Sequence, residues 1–90
     1  EDTLLEAIAI KPKVSFPYNN LGIVYENQGK MARAEEAYKN AIKRDKNFYE
    51  AYYNLGTLLY QEGRIQEAKE FLRRVEEIYP NYKDTRRFLQ

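Results

Sequence analysis

The 90-residue sequence contains no cysteine and no histidine. Disulfides, thiolate nucleophiles, imidazole general bases and Cys/His zinc sites are therefore excluded. Glycine-rich phosphate loops and calcium-loop patterns are also absent. The adjacent carboxylates of Glu35 and Glu36 would point about 100° apart on a helix. With so little catalytic chemistry at hand, we expect no enzyme, no cofactor and no metal.

Long apolar runs and an excess of one charge are missing too. The longest apolar runs have four residues or fewer, as in Ala7 to Ile10, whereas spanning a bilayer takes roughly 18–20 residues. Fifteen Lys and Arg oppose fourteen Asp and Glu, a net charge of +1, which is too small to attract a phosphate backbone. We predict no membrane span, no secretory signal and no nucleic-acid partner. The compartment stays open, with a soluble, cytoplasmic location favoured.

What the chain does have is a repeat with a fixed period of 34 residues. Residues 15–48 match residues 49–82 at eight positions without an insertion or deletion. The identical pairs are Tyr18/Tyr52, Asn20/Asn54, Leu21/Leu55, Gly22/Gly56, Gly29/Gly63, Ala34/Ala68, Glu36/Glu70 and Asn47/Asn81. One offset that carries all of these identities indicates two copies of one structural unit.

Each copy predicts two helices joined by a tight turn. The spacing i, i+3, i+4, i+7 places one set of residues on a single face of the first helix: Tyr18, Leu21, Gly22 and Tyr25, and in the second copy Tyr52, Leu55, Gly56 and Leu59. Gly29 and Gly63 are expected to close these helices in the left-handed conformation. The second helices carry small and apolar residues at the same spacing: Ala34, Tyr38, Ala41 and Ile42, then Ala68, Leu72, Val75 and Ile78.

These residues resemble the tetratricopeptide repeat, whose pattern combines an aromatic residue, Leu-Gly, Tyr, Ala, an aromatic or Leu, Ala and a late Pro. The chain departs from the pattern at Lys46, which replaces the Pro, and at Leu59 and Val75. The resemblance implies an all-α fold, a right-handed superhelical stack of antiparallel helix pairs. It extends over essentially the whole chain.

The same register divides the chain into four segments. Residues 1–14 are interpreted as the second helix of a preceding repeat, and residues 15–48 and 49–82 as two complete repeats. Residues 83–90 are either a capping helix or the start of a further repeat. Under this interpretation the sequence begins halfway through a repeat.

The face of the first helix that points away from its partner helix is the candidate binding surface. In this family that face lines the concave side of the superhelix, which implies a groove for an extended peptide or a partner helix. Asn20 and Asn54 occupy it once per repeat, and a carboxamide can bond the backbone amides of an extended peptide regardless of its side chains. The other candidate peptide contacts are Phe16, Asn19, Ile23, Asn27, Tyr53, Thr57 and Tyr60. The implied function is a protein-interaction scaffold.

One subclass of the family grips acidic C-termini with Lys and Arg on this face. Here the corresponding positions hold other residues: Asn19, Ile23, Glu50, Asn54, Asp84 and Phe88. Glu26 and Glu50 lie along the face without a basic residue beside them. We therefore expect a protein or peptide partner that is neutral or mildly basic.

Other interpretations stay open at this point. Asn20 and Asn54 could instead cap or bridge neighbouring helices, and the aromatic side chains could pack between repeats rather than bind a ligand. A second functional hypothesis is self-association into a homo-oligomer, because the terminal helix faces are apolar. The residues expected in that contact are Leu4, Leu5, Ile8, Phe88 and Leu89.

Overall fold

In a computed structural model, residues 16–89 of the chain are described. Four α-helices follow one another: α1 (Phe16–Asn27), α2 (Met31–Arg44), α3 (Tyr49–Gln61) and α4 (Ile65–Ile78). A helical segment of 3₁₀ type, Tyr82–Leu89, comes last. No strand occurs between residues 16 and 89, and the all-α prediction is confirmed.

The described residues fall into two compact units, which divide between Phe48 and Tyr49. Within the first unit α1 packs against α2, and within the second α3 packs against α4. Each pair is joined by a short turn and so forms a helical hairpin. Each hairpin therefore buries its own apolar face.

Glycine ends the first helix of both hairpins in the way the sequence predicts. Gly29 and Gly63 have φ angles of 79° and 83°, a conformation that costs glycine nothing because it has no Cβ. In the first turn, the N–H of Lys30 donates to the carbonyl of Tyr25 and the N–H of Gly29 to that of Glu26, at 2.8 and 3.0 Å. The second turn repeats both bonds one period later. These paired bonds satisfy carbonyls that the helix end would leave open.

The α1/α2 hairpin closes over a glycine. A Cβ added at Gly22 would lie 2.5 Å from Cε1 of Tyr38, so the absence of a side chain lets the ring rest on the helix backbone. Tyr38 is fully buried, as are Ala34 and Ala41 on the same face of α2. The Tyr38 hydroxyl donates a hydrogen bond of 2.7 Å to Oε1 of Glu26. A buried polar group is thereby satisfied, which avoids a desolvation cost.

The α3/α4 hairpin uses the same design with aliphatic residues. A Cβ at Gly56 would lie 2.6 Å from Cγ of Leu72, the residue that stands where α2 has Tyr38. Around this contact the large, fully buried side chains are Leu55, Leu58, Leu59, Leu72 and Val75. The equivalent glycine therefore serves the same close helix approach in both units.

After α4 the chain turns sharply at Asn81, and it kinks again inside the 3₁₀ segment. Asn81, Lys83 and Asp84 all have positive φ angles, of 57°, 45° and 59°. Such angles are unfavourable for residues with a Cβ and persist where surrounding contacts hold them. Thr85 is fully buried and its hydroxyl donates to the carbonyl of Tyr82. The turn directs the segment back onto its own unit.

Candidate functional site

Asn20 and Asn54, the two residues that the repeat pattern singles out, occupy the same position in α1 and α3. Each lies two residues before the glycine of the close helix contact, on roughly the opposite side of its helix. Both are half-buried. The Thr57 hydroxyl donates to the backbone carbonyl of Asn54 at 3.1 Å. Each unit therefore presents its asparagine away from the hairpin core.

The other candidates on α1 differ in how much surface they expose. Ile23 is 39% exposed, and Asn27 is exposed as well. Asn19, in contrast, is only 6% exposed, which makes it a poorer candidate than Asn20. Phe16 begins α1, and its side chain lies outside the described ones. Ile23 and Asn27 consequently carry most of the accessible surface beside Asn20.

On α3 the candidate aromatic residues are already engaged within their own unit. The Tyr53 ring lies 5.3 Å from the Tyr82 ring and 6.4 Å from that of Phe88, both edge to face. Tyr60 is 38% exposed, and its ring lies 5.2 Å from Phe88. Thr57, between them on the helix, is half-buried. Tyr60 can therefore pack against Phe88 and still contact a ligand, because part of its ring remains exposed to solvent.

Two basic residues beside these rings were missed at the sequence level. Nζ of Lys83 lies 5.6 Å from the Tyr53 ring centre and 5.5 Å from that of Tyr82, within the range of cation–π attraction. Lys83 and Arg87 also line an open pocket of about 320 Å³ with Tyr53, Tyr60 and Phe88. The sequence did not indicate that Lys83 and Arg87 would lie beside these rings, because the course of the segment depends on a positive φ at Lys83. No local sequence pattern predicts that angle.

Three further tyrosines of the second unit form a cluster next to Tyr53, which one of them, Tyr82, contacts. The ring centres of Tyr49, Tyr79 and Tyr82 are 4.9–5.5 Å apart, a packed arrangement worth about 0.5–1.5 kcal/mol per pair beyond area burial. Partial desolvation, followed by the charge of Glu50, raises the pKa of Tyr49 and of Tyr82. Tyr49 and Tyr82 therefore stay protonated at neutral pH.

Of the two carboxylates expected on the binding face, one is tied to the core. Glu26 accepts the hydrogen bond from Tyr38. Burial, then this hydrogen bond and the carboxylate's charge, raise the pKa of Tyr38 far above its usual range. Glu50 is exposed at the start of α3. Glu50 is thus the more available negative charge for a ligand.

The residues proposed for self-association are only partly described. Phe88 and Leu89 are half-buried in their own unit, and Phe88 uses its ring on Tyr53 and Tyr60. Leu4, Leu5 and Ile8 lie outside the described residues. Part of the expected contact surface is therefore already covered at the C-terminal end.

Two negative findings apply to residues 16–89. None of the helices there is long and apolar enough to cross a membrane. The same part of the chain holds no group of three acidic residues placed to bind a metal ion.

Two hairpins built on one sequence period define a helical-repeat protein. The family model of the tetratricopeptide repeat matches residues 19–83. The chain therefore belongs to the tetratricopeptide repeat family, and the resemblance noted in the sequence is confirmed.

Three solved structures share the fold, and two of them are tetratricopeptide repeat domains. The first such domain of Spaghetti (RPAP3), bound to the HSP90 peptide SRMEEVD, has a TM-score of 0.90 at 24% identity, over 98% of this chain and 70% of that one. The second such domain of human RPAP3, in complex with the HSP70 peptide SGPTIEEVD, has a TM-score of 0.88 at 24% identity, over 98% and 73%. The crystal structure of MamA has a TM-score of 0.82 at 31% identity, over 86% of this chain and 45% of MamA.

Proposed function

We propose that the chain is a non-enzymatic protein-interaction module that binds an extended peptide, or a helix of a partner protein, through the helix faces that carry Asn20 in the first unit and Asn54 in the second. The observation that carries this proposal is the repetition of one asparagine at the same helical position in both units, turned away from each hairpin core. Family membership supports it, because such arrays offer extended surfaces for partners. The proposal takes residues 15–48 and 49–82 as the two complete repeats.

The contacts around each asparagine support a backbone-directed mode of recognition. A carboxamide supplies one acceptor and two donor hydrogens, which can pair with a peptide N–H and C=O as a β-strand neighbour does. Ile23 and Tyr60 flank the asparagines with exposed apolar surface, and Asn27 and Thr57 add further polar groups. Affinity would come mainly from main-chain hydrogen bonds, and side-chain selectivity from the flanking residues.

The preferred charge of the ligand is a separate part of the proposal. We propose a neutral or mildly basic peptide, because Glu50 is exposed on this face and opposite charge favours encounter. Lys83 and Arg87 stand near Tyr53 and Tyr60 and would oppose this preference at that end. The peptides bound by the RPAP3 domains are acidic, so they are the natural counter-probes.

Peptide binding by the double variant Asn20→Ala/Asn54→Ala tests the proposal. We expect a neutral extended peptide selected from a library to bind the wild-type chain and to lose at least about tenfold in affinity with the variant. Asn47→Ala, an exposed asparagine off this face, is the matched control and should bind normally. If the double variant bound the peptide with the same affinity as the wild-type chain, recognition through the asparagines would be contradicted.

Ligand charge is tested with the same chain and three peptide sets. Neutral and basic peptides should bind more tightly than SRMEEVD and SGPTIEEVD, and the preference should weaken in Glu50→Gln. Tighter binding of the acidic peptides would contradict the proposed preference for neutral or basic ligands.

Self-association is tested separately by measuring the solution mass over a concentration series. A dimer that is lost in Leu89→Lys would favour the oligomer, and a constant mass of 10.8 kDa would count against it.

A further inference from the structure

A second surface, distinct from the asparagine face, lies on the other side of α1. Tyr18, Leu21 and Tyr25 of α1 and Ala37 of α2 line an open pocket of about 350 Å³, with Arg33 at its rim. This volume is at the lower end of the roughly 300–1,000 Å³ typical of ligand sites. Leu21 and Ala37 are buried and form the floor, and the half-buried tyrosines form the walls.

The second unit shows what fills the equivalent position. One period of 34 residues after Ala37 stands Phe71. Its ring lies 6.3 Å from that of Tyr52, the counterpart of Tyr18, with a tilt of 38°. The pocket in the first unit therefore lies where a methyl group stands in place of a phenyl ring, beside a tyrosine that both units share. An aromatic ring is the shape that the chain itself places there.

The charges around the pocket favour a ligand in which negatively charged groups flank the aromatic ring. The guanidinium of Arg33 lies 5.9 Å from the Tyr25 ring centre and Nζ of Lys30 lies 6.0 Å from it. Arg44 lies 5.6 Å from the ring centre of Tyr18. The lining itself is balanced, with Arg33 as its one cation and Glu36 as its one carboxylate. Lys30 and Arg44 lie outside the lining and add two positive charges beside the tyrosine rings, so an acidic ligand is the complementary one.

We propose that this pocket binds one aromatic side chain, a phenylalanine flanked by acidic residues, from a partner peptide. The ring occupies the position that Phe71 has in the second unit and packs on Tyr18 above Ala37. The flanking carboxylates pair with Arg33 and Arg44 at the rim. This site works independently of the asparagine face, because its residues lie on the opposite side of α1.

The probe is the capped tripeptide acetyl-Asp-Phe-Asp-amide, followed by NMR of the Ala37 methyl group and the tyrosine rings. We expect saturable shifts at Ala37, Tyr18 and Tyr25, and a several-fold weaker affinity for acetyl-Lys-Phe-Lys-amide. Acetyl-Asp-Ala-Asp-amide should cause no shift at the Ala37 methyl. Shifts confined to residues elsewhere, or equal shifts with the alanine probe, would overturn the proposal.

Ala37→Phe fills the pocket from within and should lower the affinity for the acidic probe at least about tenfold. Ala32→Phe, the same change at an exposed position of α2, is the matched control and should bind as the wild type does. Arg33→Glu changes an exposed residue and should remove or invert the preference for the acidic probe. This variant still tests the proposal if the larger side chain at position 37 unfolds the chain. Unchanged binding in a folded Ala37→Phe variant, or an unchanged charge preference in Arg33→Glu, would contradict the proposed site.

Discussion

Replacing Gly22 with alanine adds one methyl group at the point where α1 and α2 approach most closely. The new Cβ would lie 2.5 Å from Cε1, 2.6 Å from Cδ1 and 3.0 Å from Cζ of Tyr38, whereas carbon atoms pack best about 3.5–4.0 Å apart. Tyr38 is fully buried and its hydroxyl is bonded to Glu26. The ring therefore cannot move aside without disturbing the core or that bond.

The expected magnitude follows from three contributions. Overpacking a buried site typically costs about 1–3 kcal/mol, and loss of the Tyr38–Glu26 bond would add about 1 kcal/mol. Alanine offsets part of this, because it favours a helix interior over glycine by about 1 kcal/mol. We expect Gly22→Ala to lower the free energy of unfolding by about 1–3 kcal/mol, measured by urea denaturation with circular dichroism.

A double-mutant cycle identifies the cause. Tyr38→Val removes Cε1, Cδ1 and Cζ, the three atoms that the methyl group would meet. In that background Gly22→Ala should become neutral or stabilising by up to about 1 kcal/mol, since only the helix propensity remains. The same loss in both backgrounds would refute the packing explanation, and so would a Gly22→Ala variant as stable as the wild type.

Three further perturbations have defined outcomes. Gly29→Ala meets no atom within 4 Å but places an L-residue at φ 79°, so urea denaturation should show a loss of about 1–2 kcal/mol from backbone strain alone; no loss would mean that the turn relaxes. The hydrogen bond from Arg86, then one from the backbone N–H of Asn81, lowers the pKa of Glu76 below its ordinary value of about 4.5. Its stabilising contribution is therefore present above that pH and lost as the pH falls through the lower folded-state pKa. Thermal unfolding of Glu76→Gln across this range should show a shallower pH dependence than the wild type, and equal slopes would contradict the assignment. Phe88→Ala should release the 3₁₀ segment and raise solvent exposure of the Tyr53 ring, detected as increased fluorescence quenching by iodide, whereas unchanged quenching would show that Phe88 does not hold the segment.

Most of the helical structure could be predicted because the information is local. The three- and four-residue spacing fixes which face of each helix is apolar, and Gly29 and Gly63 mark the turns through a conformation that other residues avoid. The close contacts at Gly22 and Gly56 follow from the same pattern, since residues without a side chain recur where helices must approach.

The C-terminal segment could not be predicted in the same way. Its course depends on positive φ angles at Asn81, Lys83 and Asp84, which local propensity disfavours. Contacts distant in the sequence, from Phe88 to Tyr53 and Tyr60, determine where it lies. The candidate site is affected too: the basic residues beside these rings come from this segment and changed the charge expected at that end of the binding face.

The uneven distribution of large side chains between the two hairpins has a consequence for the order of unfolding. Among the described residues, the large side chains that are fully buried include one in the first unit, Tyr38, and six in the second: Leu55, Leu58, Leu59, Leu72, Val75 and Thr85. In a repeat protein each unit contributes its own intrinsic stability, and units with fewer buried contacts open at lower cost. Because the α1/α2 core relies on alanines, a glycine and one tyrosine, we expect α1 and α2 to open at a lower free-energy cost than α3 and α4.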